Sequence, residues 1–279
     1  MVVTIWTFLQ VSAVSAVLVG LLAPPSAAAV PTPVGLDPQC AAALLDELGP
    51  VDVLGCDLRG RGRAVLALGD PATAGHVVVL VPGSDIDLGT LADLHAPQRR
   101  PFGWAQALSE EAGPDLAVVL WVGYRTPQGL GLDAATGRLA RVGAVALARF
   151  VAELPTAPGA QLTVIGHSYG AVVAALAAPD LDVDDLVLLG SPGARADDVG
   201  DLGTDARVWA ARTEDDWTAW IPSVQLGDLG HGTDPTSPRF GARPLPVGGT
   251  RGHDGYFRPG SASLTGLVAV CLGRQEAAR

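Results

Sequence analysis

The sequence predicts an α/β fold with a mostly parallel, doubly wound sheet and helices on both faces. Apolar runs of five to seven residues, rich in Val, Leu and Ile, recur along the chain and suit buried strands. Segments with helical spacing alternate with these runs over short links, which is the pattern of parallel strands joined by crossover helices. With 279 residues, 48% of them hydrophobic, the chain can form one large core, so we expect a single domain without a large cap domain.

The charge balance limits the partners. The chain has 18 basic residues, all of them Arg, against 29 acidic ones, for a formal net charge of −11. A surface of this sign repels nucleic acid and anionic membranes. We therefore expect no nucleic-acid partner, and we expect a monomer.

The N-terminus has the composition of a targeting segment. Residues 1–29 contain no charged side chain, residues 2–23 are almost wholly apolar, and small residues follow Pro24-Pro25. This pattern is typical of a cleaved export signal, although no basic residue precedes the apolar run. The run is also close to the ~20 residues that span a bilayer, so an uncleaved membrane anchor is the alternative.

Both alternatives predict an exported protein, either secreted or attached to the cell envelope through residues 2–23. The predicted organisation is a signal peptide or anchor over 1–29, a linker with a leading helix over 30–56, and the main domain over 57–279.

The first predicted elements follow a Pro-rich linker. A helix is predicted over 39–48, because its apolar residues have helical spacing and Gly49-Pro50 ends it. Residues 62–70 and 76–81 are predicted to be strands of an antiparallel hairpin at the sheet edge, since a short Gly/Pro turn joins them. The second strand is apolar throughout and should be buried on both faces.

The cysteines leave two alternatives open. In an exported chain, Cys40 and Cys56 could form a disulfide that links the first helix to the strand after it. The other interpretation is that these two and Cys271 are buried thiols that act as small hydrophobic residues.

The alternation of strands and helices continues to the C-terminus. The remaining predictions are a polar-interrupted helical region (88–109), a buried strand (116–122), a loop at the top of the sheet (123–133), a crossover helix (134–154), two strands (185–190 and 207–211), a long irregular loop over the top of the sheet (217–252) and a last helix (263–271). The segment between the two late strands is too short for a cap domain, so only loops can cover a pocket.

One motif indicates a reactive side chain. An apolar run over 162–165 ends in Gly166-His167-Ser168-Tyr169-Gly170 and continues into a helical run of small residues, which predicts strand, sharp turn and helix. A serine at such a turn adopts a strained backbone conformation that projects its hydroxyl beyond the strand, and only glycine fits on either side. We predict that Ser168 is a nucleophile. The alternative is an ordinary strand-to-helix turn.

A serine nucleophile needs a histidine to take its proton. In folds with this turn the chain order is serine, acid, histidine, which leaves His231 and His253 as candidates. We favour His253, because it lies in a flexible loop just before the last helix. His231 is then expected to make loop hydrogen bonds or to line the pocket.

The histidine needs a carboxylate to orient it. Asp215 and Asp216 directly follow the predicted strand 207–211, and we favour Asp216 because acids of this class stand a few residues past their strand. Asp215 stays open as the alternative acid, and the pair could instead be a solvated acidic turn or a helix cap for 217–220.

The oxyanion of the reaction intermediate needs backbone donors. We expect them to be the N–H groups of Tyr169, after the nucleophile, and of Ser84, in the tight loop after a central strand. A carboxylate facing this site would oppose the negative charge, so we expect Asp85 to point to solvent or to bind a cationic or hydroxyl group of the substrate.

Several motifs share their order and spacing with one family. They are Gly62-Arg63-Ala64 to Gly69-Asp70, Val81-Pro82-Gly83, Gly166-His167-Ser168-Tyr169-Gly170, Gly190-Ser191-Pro192-Gly193 and Gly252-His253-Asp254-Gly255-Tyr256-Phe257. Together they span about 57–267 and resemble the α/β-hydrolase fold, and more narrowly an actinobacterial α/β-hydrolase family of unknown function. The resemblance implies a Ser-Asp-His hydrolase and does not name a substrate.

The expected activity is therefore cleavage of a carboxylic ester, from a small molecule or a lipid, through an acyl-enzyme intermediate. A peptidase or amidase with the same triad is one alternative, and a non-catalytic surface binding module on this scaffold is another. We expect neither a metal nor an organic cofactor, because no His/Cys cluster has ligand spacing and no Gly-rich phosphate loop is present.

Overall fold

A central eight-stranded sheet organises the protein. The computed structural model describes residues 29–274, so the predicted signal or anchor falls almost entirely outside the described residues. The strands are β1 (Asp52–Asp57), β2 (Arg63–Leu68), β3 (His76–Val81), β4 (Leu116–Val122), β5 (Gln161–His167), β6 (Asp185–Leu189), β7 (Arg207–Ala211), β8 (Gln225–Leu226), β9 (Leu229–Gly230) and β10 (Arg243–Pro244). The order in the main sheet is β1-β2-β4-β3-β5-β6-β7-β10, and β8 and β9 form a separate small hairpin.

Helices cover both faces of this sheet. They are α1 (Pro38–Leu48), α2 (Pro101–Ala112), α3 (Leu132–Ala135), α4 (Arg138–Glu153), α5 (Tyr169–Ala177) and α6 (Ala262–Cys271). One core lies between the sheet and α1, α2 and α6, and a second core lies between the sheet and α4 and α5. In β3, Val78 and Leu80 face the first core and Val77 and Val79 face the second, which explains why this strand is apolar at every interior position. The mostly parallel, doubly wound sheet predicted from the sequence is confirmed.

The predicted hairpin between the strands at 62–70 and 76–81 is wrong. β2 pairs antiparallel with β1, for which no range was predicted, and with β4, whereas β3 pairs parallel with β4 and β5. All seven residues of β4 are apolar and buried, so this strand takes an interior position. That position separates β2 from β3.

The sequence also misplaced parts of two loops. The helical region predicted over 88–109 begins only at Pro101, after a 3-10 turn over Pro97–Arg99, because proline favours the first turn of a helix and breaks its interior. The region 217–252 is not wholly irregular: it contains a 3-10 turn over Trp217–Trp220, the β8-β9 hairpin and β10. Strands of two residues are too short to produce a periodic pattern.

The cysteines follow the first of the two alternatives. A disulfide joins Cys40 of α1 to Cys56 of β1, which ties the leading helix to the edge of the sheet. Cys271 is a buried thiol at the end of α6, and burial raises its pKa to about 12. Among the helices formed by residues 29–274, none is both long enough and apolar enough to cross a bilayer.

Candidate active site

Ser168 lies at the turn between β5 and α5. Its φ and ψ are 57° and −127°, a conformation that non-glycine residues rarely adopt. The flanking glycines permit the turn, because a Cβ on Gly166 would lie 2.5 Å from Ala171 Cα and a Cβ on Gly170 would overlap the Val81 carbonyl oxygen. The strand, sharp turn and helix predicted for this motif are present.

The loop after β3 packs directly on the serine. A Cβ on Gly83 would lie 2.6 Å from Ser168 Cβ, so only glycine permits this approach. The contact places Ser84 beside Ser168 in one cavity. Tyr169 is the first residue of α5, where a backbone N–H has no partner within the helix. Both residues predicted to supply the oxyanion donors therefore lie next to Ser168.

The buried carboxylate of Asp216 and the half-buried imidazole of His253 form a hydrogen-bonded pair. His253 Nδ1 lies 2.9 Å and 3.0 Å from the two carboxylate oxygens of Asp216. The Tyr256 hydroxyl donates to Oδ2 at 2.5 Å, and the backbone N–H and hydroxyl of Thr218 donate to Oδ1 at 2.9 Å and 2.8 Å. Burial by itself would raise the pKa of Asp216. The hydrogen bond from His253 and the attraction to its ring act in the opposite direction, as do the hydrogen bonds from Tyr256 and Thr218. Together they hold the pKa of Asp216 below its usual range. The carboxylate thus stays ionised and orients the imidazole.

Asp216 combines two roles that the sequence presented as alternatives. It pairs with His253, and it also caps the 3-10 turn over Trp217–Trp220 through the N–H of Thr218. The neighbouring Asp215 accepts the backbone N–H of Gly252 at 2.8 Å, so it supports the loop before the histidine instead of contacting the ring.

His231 makes loop hydrogen bonds, as expected for the histidine that was not favoured. Its Nε2 lies 2.7 Å from the carbonyl oxygen of Ala134, and its ring packs edge-on against Tyr169 at 5.6 Å between centroids. It does not line the cavity that contains Ser168.

His167 is a site residue that the sequence analysis missed. Its Nε2 lies 2.7 Å from the backbone carbonyl oxygen of His253. Burial, together with repulsion from His253, lowers the pKa of His167 to about 3, so the ring is neutral and its Nε2–H donates to that carbonyl. The only sequence signal was its position beside the nucleophile.

Tyr256 and Gly190 also belong to the site, although the sequence analysis assigned them no role beyond membership of a motif. A Cβ on Gly190 would lie 2.7 Å from Asp216 Oδ2 and 3.1 Å from His253 Nδ1, and this glycine has a φ of +52°. The Gly-Ser-Pro-Gly motif therefore supplies the space in which the acid and the histidine meet.

One cavity of about 240 Å³ is lined by both Ser168 and His253. Its lining residues are Gly83, Ser84, Asp85, Ile86, Arg99, Arg100, Trp104, Leu130, His167, Ser168, Trp217, His253 and Asp254. Ser168 and His253 are not hydrogen-bonded to each other. Because Nδ1 of the imidazole is hydrogen-bonded to Asp216, its Nε2 is the nitrogen that could accept the serine proton. Such contacts are often loose without substrate.

Asp85 turns away from the predicted oxyanion site. Its side chain is exposed and accepts the backbone N–H of Gly129 at 2.7 Å, while its own N–H donates to the carbonyl of Pro127. This arrangement agrees with the expectation that its carboxylate points to solvent.

Three side chains in the cavity are close enough to share a metal ion. Among residues 29–274, ligand atoms of His167, His253 and Asp254 lie within 4.8 Å of one another. Nε2 of His167 and Nδ1 of His253 are already engaged in the hydrogen bonds described above.

The fold and this site define the class of protein. Residues 57–226 match the family described as alpha/beta hydrolase, and the chain belongs to that family.

Two curated relatives are mycobacterial proteins. The chain is 33% identical over 251 residues to the uncharacterized protein Rv2079 of Mycobacterium tuberculosis, and the match covers 78% of this chain and 38% of that protein. It is 32% identical over 151 residues to the uncharacterized protein Mb0988c of Mycobacterium bovis, covering 51% of this chain and 56% of that protein. The chain thus matches only about two fifths to just over half of the length of these relatives.

Solved structures with a similar fold include three hydrolases. A serine hydrolase without a lid, XC6422 from Xanthomonas campestris, is 18% identical with a TM-score of 0.44 and covers 81% of this chain and 95% of that one. Dienelactone hydrolase from Anabaena variabilis is 16% identical with a TM-score of 0.44, covering 79% and 94%. The cutinase of Trichoderma reesei is 19% identical with a TM-score of 0.37, covering 57% and 69%.

Proposed function

We propose that the protein is a serine hydrolase that cleaves carboxylic esters. The observation that carries the proposal is the convergence of Ser168 at its strained turn with His253, whose imidazole is held by the buried carboxylate of Asp216. These three residues come from separate loops at the carboxyl ends of β5 and β7 and before α6. An arrangement of this kind activates a serine for acyl transfer.

The reaction begins when Ser168 Oγ attacks the ester carbonyl carbon and Nε2 of His253 accepts the hydroxyl proton. The backbone N–H groups of Tyr169 and Ser84 stabilise the oxyanion, and His253 then donates the proton to the departing alcohol. Water, deprotonated by His253, attacks the acyl-serine, and His253 returns the proton to Ser168 Oγ as the carboxylic acid is released. Asp216 stabilises the imidazolium in both halves of the reaction.

The dimensions of the cavity favour short substrates. Its volume of about 240 Å³ is below the range of roughly 300–1,000 Å³ that holds drug-sized ligands. We therefore expect the specificity constant to fall as the acyl chain lengthens. We also propose that the protein is exported, on the basis of the apolar residues 2–23.

The test is hydrolysis of p-nitrophenyl esters of graded acyl length by the purified protein and its variants. Ser168→Ala, His253→Ala and Asp216→Asn should each lower kcat/KM by at least ~10³-fold. Asp215→Asn is the matched control and should keep most of the activity, because its carboxylate contacts Gly252 and not the imidazole. Wild-type protein that neither hydrolyses any ester nor reacts with a fluorophosphonate probe would refute the proposal.

A further inference from the structure

Two cationic side chains line the cavity without a partner. Arg99 and Arg100 are both lining residues, and neither makes a hydrogen bond or an ion pair through its guanidinium within the described part of the chain. Arg63 and Arg207, by contrast, pair with Asp57 and Asp185. Arg99 is exposed and Arg100 is half-buried, and their distinguishing feature is that both line the cavity of Ser168 in a protein whose net charge is −11.

The turn that carries these arginines is rigidly supported. Trp104 is 2% exposed, and its indole N–H donates to the carbonyl of Gln98 at 2.8 Å. The same ring packs edge-on against His167 at 4.6 Å and stacks on Phe257 at 5.2 Å between centroids. The backbone that presents the guanidinium groups is therefore fixed against the loop of His253.

The two carboxylates on the cavity wall do not neutralise this pair by contact. Asp85 is hydrogen-bonded to Gly129, as described above. Asp254 forms no ion pair with either guanidinium group. Shielding from water raises the pKa of Asp254, and attraction to His253, Arg100 and Arg99 acts in the opposite direction. Asp254 thus offsets part of the positive charge without contact, and the N–H donors of both guanidinium groups stay available.

We propose that the substrate is an ester that carries an oxyanion group, a carboxylate or a phosphate, and that Arg99 and Arg100 bind this group while Ser168 attacks the ester carbonyl. A guanidinium presents its donors in a planar fork that matches both kinds of oxyanion. The inference rests on the proposed function and adds the substrate class to it. The arginines are specificity residues, and the triad performs the chemistry.

The test compares three acetyl esters of substituted phenols that differ in charge: 4-acetoxybenzoate, 4-acetoxyphenyl phosphate and the neutral methyl 4-acetoxybenzoate. The full chain should show a kcat/KM for at least one anionic ester that is tenfold or more above that for the neutral ester. The anionic ester with the higher kcat/KM shows whether the bound group is a carboxylate or a phosphate. A second pair, the p-nitrophenyl monoester of glutaric acid and p-nitrophenyl valerate, places the charge on the acyl side instead.

Variants assign the preference to the two arginines. In Arg99→Gln/Arg100→Gln the ratio of anionic to neutral kcat/KM should fall at least tenfold. Arg125→Gln/Arg149→Gln removes the same charge at exposed positions outside this cavity and should keep the wild-type ratio. Asp254→Asn should raise the ratio, because it removes the competing carboxylate.

Two outcomes would overturn the inference while leaving the proposed function intact. One is equal kcat/KM for charged and neutral esters in both pairs, and the other is a preference that the control double variant loses as fully as the arginine variant. If no ester is hydrolysed, calorimetric titration of the Ser168→Ala protein decides the inference separately. The anionic esters should then bind at least fivefold more tightly than the neutral one, and equal binding would refute the role of the arginines.

Discussion

Asp216 shows how single side chains combine into the site. Its two oxygens accept hydrogen bonds from His253, Tyr256 and Thr218, and each donor lies in a turn or a 3-10 segment outside the α-helices and strands. A buried carboxylate is costly unless all its acceptor sites are satisfied. The hydrogen bonds from Tyr256 and Thr218 therefore help His253 to keep the acid ionised, and they do so without contacting the reacting atoms.

Tyr256→Phe tests this role. The change removes the 2.5 Å hydrogen bond to Asp216, so we expect the free energy of unfolding to fall by about 1.5–3 kcal/mol, the range for a hydrogen bond to a charged group. We also expect kcat for ester hydrolysis to fall roughly tenfold, with the acidic limb of its pH profile moved to higher pH. Tyr169→Phe is the matched control, because its hydroxyl contacts Thr136 and Ala140 and not the triad. A variant with unchanged kcat and pH profile would show that Tyr256 acts only in folding.

His167 should leave a signature in acid stability. Its folded-state pKa of about 3 lies below the value of about 6.5 expected in the unfolded chain, so between these values unfolding takes up a proton. The free energy of unfolding should therefore fall as the pH is lowered from about 6.5 towards 3, by up to about 1.4 kcal/mol per pH unit from this residue. Urea unfolding at pH 7, 6 and 5 measures it.

The comparison for that experiment is His167→Gln, whose amide can still donate to the His253 carbonyl. Its unfolding free energy should depend less steeply on pH than that of the wild type. His231→Gln should flatten the dependence in the same direction, because burial also lowers the pKa of His231. An equal slope in wild type and His167→Gln would contradict the neutral, buried state of His167.

Some secondary-structure elements lie at the edge of the sheet, and others lead directly into the candidate site. β1 and β2 form one edge of the sheet, with α1 beside them, whereas β5 lies in the interior and leads into the turn of Ser168. The disulfide between Cys40 and Cys56 joins two elements of the edge, separated by 16 positions in sequence. Its contribution should therefore appear in stability and not in catalysis.

Cys40→Ser/Cys56→Ser tests this separation. A crosslink that closes a loop of this length contributes about 3 kcal/mol in the chain-entropy model, so the variant should lose about that much free energy of unfolding. Its kcat/KM for short esters should remain within about twofold of the wild type at 25 °C. Dithiothreitol should destabilise the wild type and leave the variant unchanged. A large loss of activity in the folded variant would mean that the edge of the sheet positions the site.

At the scale of the whole molecule, the N-terminal segment and the rest of the chain differ in charge. The chain carries a net charge of −11, and all its charged residues lie beyond residue 29. A protein that lacks residues 1–29 should therefore stay in the supernatant when centrifuged with anionic vesicles at about 0.15 M salt. The full chain should sediment with neutral and anionic vesicles alike, through residues 2–23. Sedimentation of the truncated protein with anionic vesicles would contradict this expectation.

Local sequence was sufficient to predict much of the fold and the sharp turn at Ser168. The apolar runs at 116–122 and 207–211 became strands with the predicted limits, because buried parallel strands need apolar side chains on both faces. The turn at Ser168 could be predicted because its backbone admits only glycine at positions 166 and 170, and both glycines are visible in the sequence.

Only the tertiary structure decided which distant groups meet. The insertion of β4 between β2 and β3 depends on competition among strands for interior positions, which no local pattern contains. The same holds for the choice of Asp216 over Asp215, the donation from Tyr256 and the contact between His167 and the carbonyl of His253. These contacts join residues up to 86 positions apart, and their partners are set by how the loops pack at the top of the sheet.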